Sequence, residues 1–283
     1  MPIEDPMVSA DWLKSHLESP DIRVIDASWI PPWSEASAPG AAKRLYSEAH
    51  IPGAVYFDID DIADEDSSLP HMLPSPEKFS SRVRKLGLGD GHRLIVYDRS
   101  GFMASARVWW MFRVMGHSDI KVLNGGWQAW EASGGPVDDM PPIPGERHFT
   151  VRFQNQLLKN YAQVQQASSD EQTTILDARP EGRFSGKDPE PREGLSSGHI
   201  PGSFSTPATT LVDSSGCLKS KQELEDILGS HLSAPNLVTS CGSGVSAALI
   251  LLALHRLGRD DAALYDGSWT DWASQPNPDI ATA

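Results

Sequence analysis

Short apolar runs alternate with amphipathic segments along the whole chain, and this predicts strand and helix by turns. Residues 22–27 (Ile-Arg-Val-Ile-Asp-Ala), 55–57, 94–97 and 120–123 read as strands. Ser9 is placed to cap a first helix carrying Trp12, Leu13 and Leu17. Ser75-Pro76-Glu77 opens another, with proline at the first helical position. Phe79, Val83 and Leu86 then share one face before Gly87 ends it. Residues 104–115 form a largely apolar helix, and Gly125-Gly-Trp127 opens a turn and a short helix through Trp130. The Pro-, Ser- and Ala-rich stretch after residue 27 reads as a long irregular loop ending at His50-Ile-Pro-Gly-Ala54.

The same order then returns. Residues 174–178 (Thr-Ile-Leu-Asp-Ala) match the first strand, and a long loop leads to His199-Ile-Pro-Gly202. Ser220-x-x-Glu223 is a capping box that starts a helix through Leu228. A strand at 237–240, a glycine-interrupted loop, an apolar helix at 247–254 and Leu264-Tyr-Asp-Gly-Ser-Trp269 complete the series. Equivalent residues drift slowly apart in spacing. Asp26 and Asp177 are separated by 151, His50 and His199 by 149, Asp98 and Cys241 by 143, and Trp127 and Trp269 by 142. Such drift is expected of two copies with small insertions. The proline-rich stretch 137–145 is the natural linker. The chain therefore divides into a first domain at 1–139, a linker at 140–153 and a second domain at 154–283. Alternating strands and helices imply an α/β fold, with a parallel sheet flanked by helices on both faces in each copy.

Net charge narrows the function. At −14 the chain lacks the basic surface that nucleic acid demands. The N-terminal segment Met1-Pro-Ile-Glu-Asp-Pro-Met7 has no basic region followed by an apolar one, so no secretory signal is expected. The longest apolar run, 247–254, is too short for a membrane span, which needs about 20 residues. With two cysteines, Cys217 and Cys241, neither a disulfide framework nor a zinc cluster is expected, and a reducing cytoplasm fits best. No metal or organic cofactor is required.

The candidate chemistry lies in Cys241-Gly-Ser-Gly-Val-Ser246, at the carboxyl end of a strand, where parallel sheets bind ligands. Gly242 and Gly244 can adopt conformations that most residues resist, so successive amides can converge as an anion nest capped by the next helix. Such a nest favours a sulfur anion, and thiolates rather than thiols are the nucleophiles. Read alone, the loop favours Cys241 as a small buried apolar residue, and the rest of the chain argues for chemistry. In the first copy Asp98 stands at the cysteine position and Gly101 at that of Gly244, so that copy is expected to be catalytically silent. Asp98 either has a role of its own or caps its own loop amides. Cys217 reads as an incidental surface cysteine or a redox switch.

Duplicated domains, one with a loop cysteine and one without, bearing His-Ile-Pro-Gly and Gly-Gly-Trp or Gly-Ser-Trp signatures, resemble the tandem rhodanese-fold sulfurtransferases over essentially the whole chain. Within them Cys-Gly-Ser-Gly-Val-Ser is similar to the active loop of 3-mercaptopyruvate sulfurtransferases, whereas thiosulfate-specific members carry basic residues there. The stretches from Asp177-Ala-Arg through Arg183, Glu190-Pro-Arg192, Asp26-Ala-Ser-Trp29 and His71-Met-Leu-Pro74 are also similar to that family. The resemblance implies sulfur transfer from 3-mercaptopyruvate to a thiol acceptor such as thioredoxin, or to cyanide, through a persulfide on Cys241. Arg183 and Arg192 would bind substrate, and arginine's planar fork suits a carboxylate beside a carbonyl. Otherwise they are surface arginines paired with Glu181 or Glu190. Gly242, Gly244, Val245 and Ser246 would supply the nest.

Ser243 would contact substrate or relay a proton from a histidine. The family's serine–histidine–aspartate arrangement places that histidine in the first His-Ile-Pro-Gly, here His50, with Glu35 or Glu48 as its only nearby carboxylates; equally, His50 is structural, since His199 occupies the same place in the second copy with no shared catalytic need. Cysteine phosphatases of similar fold need an arginine where this chain has Ala247. Thiosulfate sulfurtransferase is the nearest rival enzyme, and a non-catalytic sulfur-carrier or binding module is the rival of another class.

Overall fold

The computed structural model describes residues 3–283; Met1 and Pro2, which open the acidic N-terminal segment, lie outside the described residues. Among the described residues two five-stranded sheets are formed, each with only parallel pairings. The first contains β1 (Met7–Val8), β2 (Ile22–Asp26), β3 (Val55–Tyr56), β4 (Arg93–Tyr97) and β5 (Ile120–Leu123), in the spatial order β1-β5-β4-β2-β3. The second contains β6 (Leu158–Lys159), β7 (Thr173–Asp177), β8 (Ser203–Ser205), β9 (Asn236–Ser240) and β10 (Ala263–Tyr265), ordered β6-β10-β9-β7-β8. Exchanging each strand for its repeat counterpart converts one order into the other. The duplication read from spacing is a duplication of topology.

Helices α1 (Ala10–His16), α2 (Ala41–Glu48), α3 (Pro76–Lys85), α4 (Ser105–Val114) and α5 (Gly126–Ala132) accompany the first sheet. Their counterparts are α6 (Tyr161–Ala167), α7 (Glu181–Phe184), α8 (Lys221–Leu232), α9 (Ala247–Arg256) and α10 (Ser268–Ala273). Strand β4 shows why both faces are covered. Leu94 and Val96 enter one apolar cluster with α3 and α4, while Ile95 and Tyr97 enter another with α1 and α5. Side chains alternate between the faces of a strand, so four buried residues in succession require cover on both sides.

The larger of these clusters is common to the two sheets. It runs from Phe79, Trp109 and Phe112 of the first copy to Leu224, Leu249 and Leu252 of the second. Helices α4 and α9 pack against each other at its centre. Residues 247–254 of α9 are all buried, as expected for a helix apolar all round. Among the described residues no helix is long and apolar enough to cross a membrane.

The structure also holds elements absent from the sequence reading. Edge strands β1 and β6 have two residues each, too few to show a period. Helices α2 and α7 lie within the stretches read as irregular loop, and α7 has only four residues. Helix α6 begins at a capping box made by Asn160 and Gln163. The segment that follows the proline-rich stretch runs along the first copy rather than hanging free. His148 O accepts from Asp90 N at 2.8 Å, and the Arg152 and Gln154 amides donate to Met115 O and Val114 O at 2.9 and 2.7 Å. A Cβ at Gly89 would stand 2.3 Å from His148 O, so that close approach requires glycine.

Candidate active site

Cys241 follows the last residue of β9, the central strand of the second sheet, and is 2% exposed. Its loop is anchored from beneath. Cys241 N and Gly244 N both donate to Ser268 Oγ at 3.1 Å, and that hydroxyl donates to Tyr265 O at 2.7 Å. Cys241 O accepts from Trp269 N, and Gly242 O from Thr270 N, each at 2.9 Å. Ser268 has φ 50°, a left-handed conformation uncommon outside glycine, and its hydroxyl bonds give that conformation a purpose. Gly244 has φ 76°, and a Cβ there would lie 2.6 Å from Asp266 O. No other residue type fits that turn.

With those bonds made, no protein acceptor among the described residues takes the amides of Gly242, Ser243, Val245 or Ser246. The first copy shows what such a loop binds. Asp98 Oδ1 accepts from Ser100 N and Phe102 N at 3.0 and 3.2 Å, and Oδ2 from Ala104 N and Ser105 N at 3.0 and 2.8 Å. Four amides thus converge on one carboxylate at the start of a helix. By the repeat spacing, Ser100 and Phe102 correspond to Ser243 and Val245. Asp98 caps its own loop, and the frame is otherwise the same: Trp127 N donates to Asp98 O at 2.9 Å, as Trp269 N does to Cys241 O.

A small cleft of about 50 Å³ opens over Cys241, walled by Trp29, Trp33 and Met103 of the first copy and by Arg179, Arg183 and Arg192 of the second. Gly242, Ser243, Val245 and Ser246 complete its floor. Gly244 lies outside the lining and points its carbonyl at Arg107 Nη1, 3.1 Å away. Neither Arg183 nor Arg192 has a carboxylate partner among the described residues. Glu190, the expected competitor, is held by Arg179 at 2.7 Å, and Glu181 accepts from the Ser205 hydroxyl. Arg179 also clasps Asp177 and lies 4.2 Å over the Trp269 ring, so it is the structural arginine of the three.

Arg192 Nη2 donates to Ser243 Oγ at 2.9 Å, and its guanidinium sits 4.9 Å from the Trp33 ring. Burial, reinforced by the like charge of Arg183, holds Arg192 below the usual guanidinium range against the pull of Cys241 and Glu190. The cleft thus offers two cationic forks beside a sulfur, with no internal acid to satisfy them.

Like His71, His50 does not line this cleft, where the family resemblance expects it. It is fully buried, with Nδ1 2.8 Å from Tyr46 O and its ring stacked 4.3 Å from that of Tyr46. His199 repeats the arrangement, Nδ1 lying 2.8 Å from Phe184 O and the ring 3.9 Å from Phe184. Both histidines pin the preceding helix, and equivalent packing in both copies accounts for both. Neither Glu35 nor Glu48 is paired with His50.

The histidine with a carboxylate is His71. Its Nδ1 lies 2.5 Å from Asp60 Oδ1, and Trp29 Nε1 donates to Asp60 Oδ2 at 2.9 Å. Trp29 meets the His71 ring edge-on at 5.1 Å and itself walls the cleft. Burial pushes the Asp60 carboxyl up, but its bonds to His71 and Trp29 prevail and hold it below the ordinary aspartate range. His71 Nε2 is buried and has no partner. The sequence signal is the pair Asp60 and His71 itself, eleven residues apart, whereas the carboxylates preceding His50 are Glu35 and Glu48.

The rhodanese-like domain family matches the chain twice, over residues 9–133 and 160–275. The 3-mercaptopyruvate sulfurtransferase of Escherichia coli strain K12 is 39% identical over 95% of this chain and 95% of that protein. The thiosulfate sulfurtransferase of Cricetulus griseus is also 39% identical, over 96% of this chain and 93% of that protein. The crystal structure of SseA from Escherichia coli, described as that of a 3-mercaptopyruvate sulfotransferase, superposes with a TM-score of 0.84 at 37% identity, covering 94% of this chain and 99% of that one. Two matched copies, one topology repeated and near-complete alignment lead to one conclusion: the chain belongs to the rhodanese family.

Proposed function

We propose that the protein is a 3-mercaptopyruvate sulfurtransferase working through a persulfide on Cys241. The carrying observation is the pair Arg183 and Arg192, free of acidic partners and sharing one cleft with a cysteine whose loop has no cation of its own. An organic donor with a carboxylate beside a carbonyl satisfies both forks and presents its sulfur to Cys241. The first copy, with an aspartate filling its nest, supports the fold and the cleft wall and performs no transfer.

The reaction divides into two steps. The Cys241 thiolate attacks the substrate sulfur, a sulfur–sulfur bond forms, and the carbon–sulfur bond breaks with its electron pair leaving on the pyruvate enolate. The proton of the substrate thiol ends on the enolate carbon, giving pyruvate and leaving an anionic persulfide. Ser243, and His71 held by Asp60, are the groups that carry this proton. The free amides of Ser243 and Val245 and their neighbours stabilise the persulfide anion as their counterparts stabilise the Asp98 carboxylate. An acceptor thiolate, on a protein such as thioredoxin or on a small thiol, then takes the outer sulfur and regenerates Cys241. Both cysteines are free, which suits a reducing compartment such as the cytoplasm.

Overall identity does not select the donor, because relatives named for each donor are equally similar. Measuring kcat/KM with 3-mercaptopyruvate and with thiosulfate, alongside the mass of the Cys241 peptide after each, tests the reading. A preference for 3-mercaptopyruvate with gain of one sulfur is expected. Preference for thiosulfate would reassign the donor, and absence of the added sulfur with both would make the chain a binding module.

A further inference from the structure

The two copies meet through matching contacts, and one of them has been altered. Leu218 N of the second copy donates to Asn124 Oδ1 of the first at 2.9 Å. At the equivalent contact on the side of Cys241, Leu73 N donates to Asp266 Oδ2 at 2.7 Å. Asn124 and Asp266 each follow the last strand of their sheet and are repeat counterparts. Asp266 Oδ1 is also bound by Arg107 Nη1 at 2.6 Å, with the two side chains 4% and 0% exposed. The counterpart of Arg107 in α9 is Ile250. A neutral contact on one side is therefore a buried ion pair on the other.

Stability alone does not call for that exchange. Taking both charges out of water is costly, and apolar replacements of buried pairs are often as stable. The guanidinium has other duties. Nη1 reaches Gly244 O in the catalytic loop at 3.1 Å, Nη2 reaches His71 O at 2.5 Å, and the Trp110 ring lies 4.4 Å away. One rigid fork thus holds the Cys241 loop of one domain and the backbone of His71 in the other. His71 has φ 61°, so its ring direction depends on a backbone conformation that needs external support.

We propose that Arg107 is a positioning residue that sets His71 against the Cys241 loop across the domain interface, keeping proton return in register with sulfur transfer. This rests on the persulfide mechanism above. It predicts a defect that depends on the donor, since 3-mercaptopyruvate needs a proton delivered to carbon and thiosulfate, which releases sulfite, does not.

The test is the paired variant Arg107→Ile with Asp266→Asn, which copies the residues of the other contact and leaves no unpaired buried charge. Arg107→Lys serves as a second variant, because lysine keeps the charge and cannot span both carbonyls. The fall in kcat with 3-mercaptopyruvate should exceed that with thiosulfate by about tenfold or more, within the range that small misplacements produce. KM should change little. His71→Asn should show the same donor dependence and add little when combined with the paired variant. Equal losses on both donors, or full additivity with His71→Asn, would overturn the positioning role. A wild-type protein that gains no sulfur from 3-mercaptopyruvate would instead overturn the mechanism beneath it.

Discussion

Cys241 and Asp98 occupy the same place in the two copies and differ in what satisfies the amides around them. The carboxylate brings its own charge into the first nest, whereas in the proposed mechanism the second nest receives a charge created during reaction. Cys241→Ser should therefore abolish persulfide formation and turnover without unfolding the chain, as read by mass spectrometry and circular dichroism. Arg183→Ala should raise KM for 3-mercaptopyruvate by about tenfold or more, the usual effect of losing a charged hydrogen-bond pair. Arg183→Lys should recover only part of that loss, because an ammonium cannot grip carboxylate and carbonyl as a planar fork does. Steady-state kinetics with the three proteins decides the point.

At the scale of the element, the loop between β4 and α4 depends on its internal anion. Asp98→Asn keeps one acceptor but turns a donor towards two amides that are donors themselves. The expected loss is roughly 1–3 kcal/mol of stability, measurable by urea unfolding. Helix α9 carries the Cys241 loop at one end and is buried along the stretch 247–254. Leu252→Ala should cost about 2–5 kcal/mol and loosen the seat of Cys241. That helix is readable because its apolar run has no polar face, whereas α2 opens at Gly40 with no side-chain cap and α7 has only four residues.

For the whole molecule, the interface between copies belongs to the core. His255, at the end of α9, lies 5.4 Å from the Trp109 ring of the first copy. Burial, aided by Arg113 and Lys121, pushes its pKa down from 6.5 to about 3. Between those values the unfolded chain binds a proton that the folded chain refuses. The resulting stability is full above the unfolded value and is lost as pH falls below it. Thermal unfolding from about pH 7 to about pH 5 should thus show a falling Tm in the wild type and a shallower fall in His255→Gln.

The sequence alone determined the duplication, the parallel α/β architecture, the loop with its cysteine and the two arginines of the second copy. These are local: periodicity, turn residues and repeat spacing act over a few residues or between identical patterns. Tertiary structure decided which charges stay free. Arg183 and Arg192 are available because Arg179 takes Glu190, a choice among neighbours that spacing cannot express. It also decided that His71 rather than His50 pairs with a carboxylate, and which arginine joins the domains. Those outcomes depend on contacts between residues far apart in the chain, and burial makes each contact exclusive.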